Sequence, residues 1–232
     1  MNDAPRRVSL QGSLALAAAS APSLANAATE ERKLAARAYD LQLAPTPLPF
    51  DPKSLKGLSE KLVQSHWENN YGGAVKALNT VRGRLAAALA SSDTPPYVYN
   101  GLKREQLLRT GSVVLHEFYF ENLGGDGKAG ADLRSRIAES FGSFDAWEKE
   151  FRTIGSGLGG GSGWVVLGYN EKLKLLENCW MADHSTSSPW TRPILVMDMY
   201  EHAFQMDYGA AAAKYIDAFF ANINWDAVAR RL

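Results

Sequence analysis

Two long stretches of the chain place apolar residues at helical spacing, and together they predict a helical hairpin in the first half. Over residues 53–89 the apolar positions recur every three or four residues, as they do along one face of a helix. These positions include Leu55, Leu58, Leu62, Leu78, Val81 and Leu85. Gly72-Gly73 is a weak point in this stretch, and residues 91–96 form a predicted loop. A second helix is predicted over residues 102–123, ending at the glycines of residues 124–127.

Shorter elements follow one another in the second half and predict a mixed domain. Helices are expected at residues 132–139 and 144–158, the latter opened by Ser143 as its N-cap. Three short apolar runs are strand candidates, at residues 164–167, 173–176 and 194–197. The helical pattern returns over residues 200–225. This order predicts an α+β protein with a helical half before an α+β half.

Composition excludes several classes of function without identifying one. The chain has 232 residues, 46% of them apolar, which is enough for a substantial core. Its 25 basic and 25 acidic residues give zero formal net charge without a long run of either sign, so no nucleic-acid partner is expected. The single Cys179 excludes an intramolecular disulfide and a cysteine-rich zinc site, and it is predicted to be a small buried hydrophobe. The glycines of residues 155–160 fit G-x-G-x-x-G, but a helix precedes them and a strand follows, the reverse of a dinucleotide site.

The N-terminus has the pattern of an export signal, predicted over residues 1–27. Arg6-Arg7 precede an alanine-rich apolar stretch at residues 14–24, and Ala25-Asn26-Ala27 has the small-x-small form of a signal peptidase site. The paired arginines resemble a twin-arginine signal, which predicts a bacterial periplasmic location. The apolar stretch is too short and too mild to span a bilayer, so no stable membrane association is expected. The alternative is a disordered alanine-rich tail.

The rest of the chain divides into three predicted parts. Residues 28–48, punctuated by prolines, are predicted to be a linker and extended arm. Residues 49–125 form the predicted helical hairpin domain, and residues 126–232 form the predicted C-terminal domain.

One short segment carries candidate metal chemistry. Asp198 and His202 are four residues apart after an apolar run, so a helix beginning near Asp198 would bring both side chains to one point. Alone the spacing is weak, because an aspartate often caps a helix and a histidine one turn later is often part of the core. The chain also has three other histidines, His66, His116 and His184, each beside apolar or aromatic residues or an acid. Three imidazoles and one carboxylate suit manganese, iron or zinc better than calcium or magnesium.

Successive motifs over about residues 48–228 resemble those of the iron/manganese superoxide dismutases. They are the run Leu58 to His66 leading into Ala77-Leu78-Asn79, then His116-Glu117-Phe118-Tyr119-Phe120, Phe141-Gly142-Ser143-Phe144, Gly161-Ser162-Gly163-Trp164, Asp198 to His202, and Ile223-Asn224-Trp225. The resemblance implies a small three-stranded antiparallel sheet in the C-terminal α/β domain. It also implies superoxide as substrate and one iron or manganese ion per subunit, with a solvent molecule as fifth ligand. The implied metal ligands are His66, His116, Asp198 and His202.

Around the implied ligands the chain departs from the family pattern. The resemblance makes His184, Tyr200 and Trp164 the candidate catalytic residues, with His184 as the partner of the bound solvent and Trp164 and Tyr200 in the surrounding aromatic packing. The alternative for His184 is a surface-loop histidine capped by Asp183. Ser112 lies at the other position that can supply a solvent-binding glutamine, and it is too short to do so. Four further positions differ from the usual histidine, tyrosines and arginine, namely Asn70, Ala74, Gln205 and Gly209. These departures put the rate, the proton supply and the steering of the anion in doubt.

The resemblance also implies a homodimer in which Glu201 accepts a hydrogen bond from His202 of a second subunit; the alternative is a solvated surface acid. Asn70 and Gln205 replace two residues that meet across that interface in the family, which suggests that they changed together. Two functions remain: an active superoxide dismutase, or a metal-binding periplasmic protein of the same fold with weak or lost activity. A zinc hydrolase is disfavoured because no H-E-x-x-H motif is present. The sequence does not choose between iron and manganese.

Overall fold

The helical hairpin forms the first half of the part of the chain that the computed structural model describes, residues 39–232. Its elements are α1 (Glu60–Ser65), a π-helical segment (His66–Tyr71), α2 (Gly72–Ala90) and α3 (Pro96–Glu121). The predicted export signal lies outside the described residues, as does the beginning of the predicted arm. Within those described, no helix is both long and apolar enough to cross a membrane.

The first helix begins later than the apolar pattern predicts. Residues 53–59 are not continuous with α1, because Pro52–Ser54 form only a short 3₁₀ turn and Gly57 has a φ of 74°. The helix starts where the Ser59 side chain accepts a hydrogen bond from the Leu62 N–H. The weak point at Gly72-Gly73 follows the π-helical segment, in which the Gly72 N–H reaches back to the carbonyl of Trp67.

The second half begins with two helices and one small sheet, as predicted. Its helices are α4 (Ala131–Phe141) and α5 (Phe144–Leu158), and its strands are β1 (Trp164–Asn170), β2 (Leu175–Met181) and β3 (Thr191–Asp198). Ser143 caps α5 by accepting from the Ala146 N–H, which confirms that prediction. The strands are antiparallel in the order β2-β1-β3. The second strand begins later than predicted because the chain turns at Lys174, whose φ is 57°.

The long helix predicted over residues 200–225 is wrong. The structure has a 3₁₀ turn at Glu201–Ala203, followed by α6 (Gln205–Tyr208), α7 (Ala212–Ala221) and α8 (Trp225–Ala229). Gly209, with a φ of 52°, ends α6, and Asn224 caps α8 through the Ala227 N–H. The apolar pattern persists through these breaks because α7 and α8 each bury apolar residues in the core, whereas α6 buries none.

A continuous core joins the hairpin to the sheet. The Asn122 side chain, fully buried just after α3, donates to the Val196 carbonyl of β3 at 2.9 Å. Its backbone carbonyl accepts from the Asn224 N–H at 2.6 Å. The hairpin is thereby held against β3, and this contact brings residues of the two halves to one site.

Candidate metal centre

Four side chains from four separate elements converge between the hairpin and the sheet. They are His66 of the π-helical segment, His116 of α3, Asp198 at the end of β3 and His202 of the 3₁₀ turn. One donor atom from each lies within 4.8 Å of the other three. The first three residues are at most 2% exposed, and the His202 side chain is 25% exposed. The structure therefore brings together the whole set of ligands that the sequence predicts.

A single carboxylate oxygen is the focus of the cluster. The Nε2 atoms of His66 and His202 lie 3.1 Å and 3.2 Å from Asp198 Oδ2, and Nε2 of His116 lies 3.6 Å from the same oxygen. Two donors that are each about 2.1 Å from one ion and about 90–120° apart would be separated by about 3.0–3.6 Å. The three imidazole nitrogens thus lie at ligand-like distances from the carboxylate oxygen.

Asp198 and His202 meet by a different route from the predicted one. They do not lie on one helix, because Asp198 is the last residue of β3 and His202 is in a 3₁₀ turn. The Tyr200 N–H donates to Asp198 Oδ1 at 2.8 Å, which folds the chain back after the strand. This hydrogen bond also leaves Oδ2 facing the histidines. The Tyr215 hydroxyl donates to the backbone carbonyl of Asp198 at 2.6 Å and fixes the strand end from below.

His116 presents a lone pair to the cluster. Its Nδ1 lies 2.6 Å from the Ser112 carbonyl, and since a carbonyl only accepts, Nδ1 carries the proton. Burial, with the nearby His66 as the next cause, lowers the pKa of His116 to about 3, so the ring is neutral. Its Nε2 is buried and has no hydrogen-bond partner among the described residues. This nitrogen and Asp198 Oδ2 are therefore two acceptors that face each other with no proton between them. A bound cation would interact favourably with both, whereas the ring proton on Nδ1 is too far away to do so.

The pKa shifts favour an ionised Asp198 carboxylate, surrounded by imidazoles that are neutral or that share a proton with it. Burial acts to raise the pKa of Asp198, but the charge of His202 and hydrogen bonds from His202 and His66 outweigh it and hold that pKa far below its ordinary value. Burial lowers the pKa of His66. Burial also acts to lower the pKa of His202, but the neighbouring Asp198 carboxylate outweighs burial, so the pKa of His202 is raised. A metal ion would replace the proton that these groups share.

His184 lies beside the ligands and is held by the other two predicted site residues. The Trp164 indole N–H donates to His184 Nδ1 at 3.0 Å, so the neutral ring carries its proton on Nε2. Tyr200 stacks on His184 with ring centroids 4.6 Å apart, and Trp164 meets His116 edge-on at 5.1 Å. Burial lowers the pKa of His184 and favours this neutral form. Trp164 is positioned by the sheet, where it pairs with Asp198 across β1 and β3.

Gly111 allows the His184 segment to lie against α3, and the sequence analysis did not identify it. A Cβ at this position would lie 1.7 Å from the His184 carbonyl oxygen. The sequence could have indicated this contact, because Gly111 lies inside a strongly helical pattern. A glycine there lowers helix stability, which suggests that another segment packs closely against it. Its place one turn before His116 and next to Ser112 connects it to the site.

Two of the predicted ligands, His116 and His202, line a pocket of about 410 Å³. Two of the predicted departures, Asn70 and Ala74, line this pocket, and so does Ser112; Gln205 and Gly209 do not. Arg109 also lines it, and the sequence analysis did not identify this residue. The sequence could have indicated this position, because Arg109 precedes His116 by seven residues, or about two helical turns, and so lies on the same helix face.

A second contact that the sequence analysis missed ties the arm to the hairpin close to the site. The Tyr71 hydroxyl donates to Glu117 Oε1 at 2.7 Å and accepts from the Thr46 N–H at 2.7 Å. The Tyr71 ring lies 6.3 Å from that of His116, and burial is the main cause that raises its pKa. The sequence could have pointed to Tyr71 and Glu117, because each lies close in sequence to a predicted ligand.

Comparisons with known proteins agree with this fold and centre. Residues 129–231 match the family described as iron/manganese superoxide dismutases, C-terminal domain. A superoxide dismutase of Cupriavidus metallidurans, named for iron, is 49% identical over 185 residues, which are 80% of this chain and 93% of the relative. Another named for iron, from Aquifex pyrophilus, is 34% identical over 187 residues, 78% of this chain and 86% of the relative. One named for manganese, from Haloarcula marismortui, is 32% identical over 188 residues, 79% of this chain and 90% of the relative.

The chain belongs to the iron/manganese superoxide dismutase family. The membership and the α+β fold predicted from the sequence are therefore confirmed. The described relatives include proteins named for each metal, so the comparisons leave both metals open.

Proposed function

We propose that this chain is an active superoxide dismutase that binds one iron or manganese ion per subunit through His66, His116, Asp198 and His202. The observation that carries the proposal is the buried Nε2 of His116, which has no hydrogen-bond partner within residues 39–232 and whose lone pair faces the Asp198 carboxylate. When bound, the ion supplies one-electron exchange, so that one superoxide is oxidised to dioxygen and a second is reduced, with two protons, to hydrogen peroxide. The side chains must hold the ion and assist the delivery of protons.

The protein's own groups must deliver protons to a buried site, and His184 is suited to that task. Its proton is on Nε2, on the side of the ring away from Trp164, and the residue lines the pocket that leads to the ligands. Tyr200 stacks on the ring and limits its rotation. We infer that His184 Nε2–H donates a hydrogen bond to solvent in the pocket and orients that solvent for proton transfer, while Trp164 and Tyr200 hold the ring in place.

A superoxide assay on metal-loaded protein tests the proposed activity. The full chain, loaded separately with iron and with manganese, is mixed with superoxide in a stopped-flow instrument. We expect catalysed decay in proportion to the metal content for at least one metal. A protein that binds metal and gives only the uncatalysed decay would support the alternative, a metal-binding protein of the same fold with weak or lost activity. The small side chains of Asn70, Ala74 and Ser112 at the pocket are what would favour that alternative. Metal analysis of the natively expressed protein identifies the metal used.

We propose further that two copies of the chain form a homodimer in which Glu201 accepts a hydrogen bond from His202 of the second subunit. Glu201 is exposed, and His202 directs Nε2 to Asp198, which leaves Nδ1 available as a donor. Such a bond would fix the imidazole tautomer and couple metal binding to dimerisation. Glu201→Ala should lower both the dimer fraction in sedimentation and the metal content, with Glu201→Gln milder in both. A Glu201→Ala protein that stays dimeric with full metal would contradict the proposal.

We propose that the protein is exported to the periplasm, on the pattern of residues 1–27. Fractionation of expressing cells, together with N-terminal sequencing, tests this proposal. We expect a periplasmic protein that starts near Ala28, and replacing Arg6-Arg7 with lysines should retain it in the cytoplasm if the twin-arginine route is used. An uncleaved cytoplasmic protein would contradict export.

A further inference from the structure

Arg109 is the one permanently charged side chain among the described residues that line the metal pocket. The other lining groups are histidines, small polar residues, glycine, alanine and tyrosine. The chain as a whole has a formal net charge of zero, so it offers no long-range attraction for an anion. Any electrostatic preference for an anionic substrate must come from charges close to the pocket.

The position of Arg109 on α3 points it along the same face as the metal site. Ser112 follows it by three residues and His116 by seven, so the three residues lie on successive turns of one helix face. Seven residues correspond to about 10 Å along the helix axis, and Arg109 and His116 both line the same pocket. At low ionic strength, about 10 mM, the Debye length of about 30 Å exceeds this distance, so the charge of Arg109 acts across the pocket.

The guanidinium is oriented by a neighbour outside the pocket. Arg109 Nε donates to Glu105 Oε1 at 2.7 Å, one turn earlier on α3, and the Arg109 side chain remains 36% exposed. This is the one hydrogen bond of the guanidinium in the described part of the chain, so its two terminal amino groups remain available. Glu105 does not line the pocket. Within this pair the arginine lines the pocket and the carboxylate does not.

Arg109 shares the pocket with the predicted site residues. The lining of this pocket includes His184 and Ser112 as well as the predicted ligands His116 and His202. An anion in this solvent space therefore lies close to both Arg109 and the predicted ligands.

We propose that Arg109 guides superoxide, a small monoanion, into the metal pocket, and that Glu105 orients its guanidinium for this purpose. The inference rests on the proposed function, because the anion guided is its substrate. Arg109 acts before the reaction as a positioning residue for the anion, and no bond to it forms or breaks. The same charge should also favour other small monoanions that enter the pocket.

The dependence of the reaction on ionic strength tests the guidance. Arg109→Gln removes the charge and keeps the polar length, Arg109→Lys keeps the charge, and Arg104→Gln removes a charge from the exposed side of the same helix. At low ionic strength Arg109→Gln should lower kcat/KM about three- to tenfold, in the range for one charge about 10 Å away. Its salt dependence should also become shallower. Arg109→Lys should retain most of kcat/KM, and Arg104→Gln should match the unaltered protein. Metal content is measured for every variant so that lost metal is not mistaken for lost guidance.

Azide binding to the iron-loaded protein gives a readout that does not depend on turnover. Azide is a small monoanion, and its binding is followed by absorbance. Its Kd should rise about three- to tenfold in Arg109→Gln and stay unchanged in Arg104→Gln. If the unaltered protein fails to dismutate superoxide, the proposed function fails while the azide titration still tests Arg109. If it is active, and Arg109→Gln keeps the same kcat/KM, salt slope and azide Kd, the guidance proposal is overturned.

Discussion

The floor and the wall of the metal pocket are held in different ways. We call the four predicted ligand side chains the floor, of which His116 and His202 line the pocket. Backbone groups fix two of the four directly: the Ser112 carbonyl holds His116 and the Tyr200 N–H holds Asp198. The wall consists of His184 and Tyr200, which line the pocket, and of Trp164, which is buried behind them. It depends on one side-chain hydrogen bond, on ring stacking and on a close backbone contact with Gly111. The floor is therefore set by the path of the main chain, whereas the wall is set by packing.

This difference indicates which part of the site can vary. A floor that is tied to helices, a strand end and a 3₁₀ turn cannot change without moving these elements, and it retains all four ligands. The pocket above it contains Asn70, Ala74 and Ser112, where the sequence departs from the family pattern. Changes in the floor should therefore abolish metal binding, and changes in the wall should alter rate while sparing the metal.

The largest effect is expected from Asp198→Asn, which breaks the floor. The amide keeps the shape but removes the negative charge on which three imidazoles converge. Metal affinity should fall more than about 100-fold, because even partners outside the ligand shell cost 10–100-fold. Metal analysis after dialysis measures this loss. Asp145→Asn, an exposed acid on α5, is the matched control and should retain full metal. Retention of metal by Asp198→Asn would show that the carboxylate charge is dispensable.

A smaller effect is expected from His184→Ala, which removes the hydrogen-bond donor of the wall. Turnover should fall at least about tenfold, the lower range for lost proton-transfer assistance, with metal content unchanged. His184→Gln is the matched variant, since its amide restores an N–H donor and should recover part of the rate. Stopped-flow superoxide decay gives the rates. Unchanged turnover in His184→Ala would mean that protons arrive by another route.

The next effect tests how the wall is supported. Gly111→Ala would place a Cβ 1.7 Å from the His184 carbonyl oxygen, so the backbone must shift. We expect a loss of about 1–3 kcal/mol in the free energy of unfolding, the usual cost of overpacking, and a fall in turnover smaller than that of His184→Ala. Gly101→Ala, on the same helix with open space around it, should instead gain about 1 kcal/mol from helix propensity. Urea unfolding measures both. Equal stabilisation by the two variants would contradict the proposed contact.

The features that could be predicted from the sequence are those set by local residue patterns, and the features that were missed are those set by packing between distant segments. The helical hairpin, the cap Ser143 and the three strands follow from local periodicity and capping chemistry, and the structure confirms them. The ligand set stays a prediction, although the structure brings its donor atoms within 4.8 Å of one another. These features depend on residue type and spacing, which a sequence displays directly.

The features that were missed depend on contacts between distant segments. Asp198 and His202 meet through a strand end and a 3₁₀ turn, because Asp198 bonds the Tyr200 N–H and no α-helix forms there. The roles of Gly111 and Arg109 become visible only when the His184 segment packs on α3 and the pocket closes around its face. Helical periodicity places both residues on a helix but does not reveal what approaches them.

The smallest effect concerns Cys179, which lines an apolar cavity of about 220 Å³ on the other side of the His184 segment. Burial raises the pKa of the Cys179 thiol to about 11, with Glu177 adding to the shift. A raised pKa favours the neutral thiol, so the reactive thiolate should be scarce below pH 10 and increase about tenfold per pH unit up to about pH 11. Alkylation by iodoacetamide at pH 8, followed by mass spectrometry, should be roughly a hundredfold slower than in the urea-unfolded chain. Gly111→Ala should accelerate it, because the displaced His184 segment opens the cavity, whereas Gly101→Ala should not. Rapid alkylation of the unaltered protein at pH 7 would show that the wall is already open.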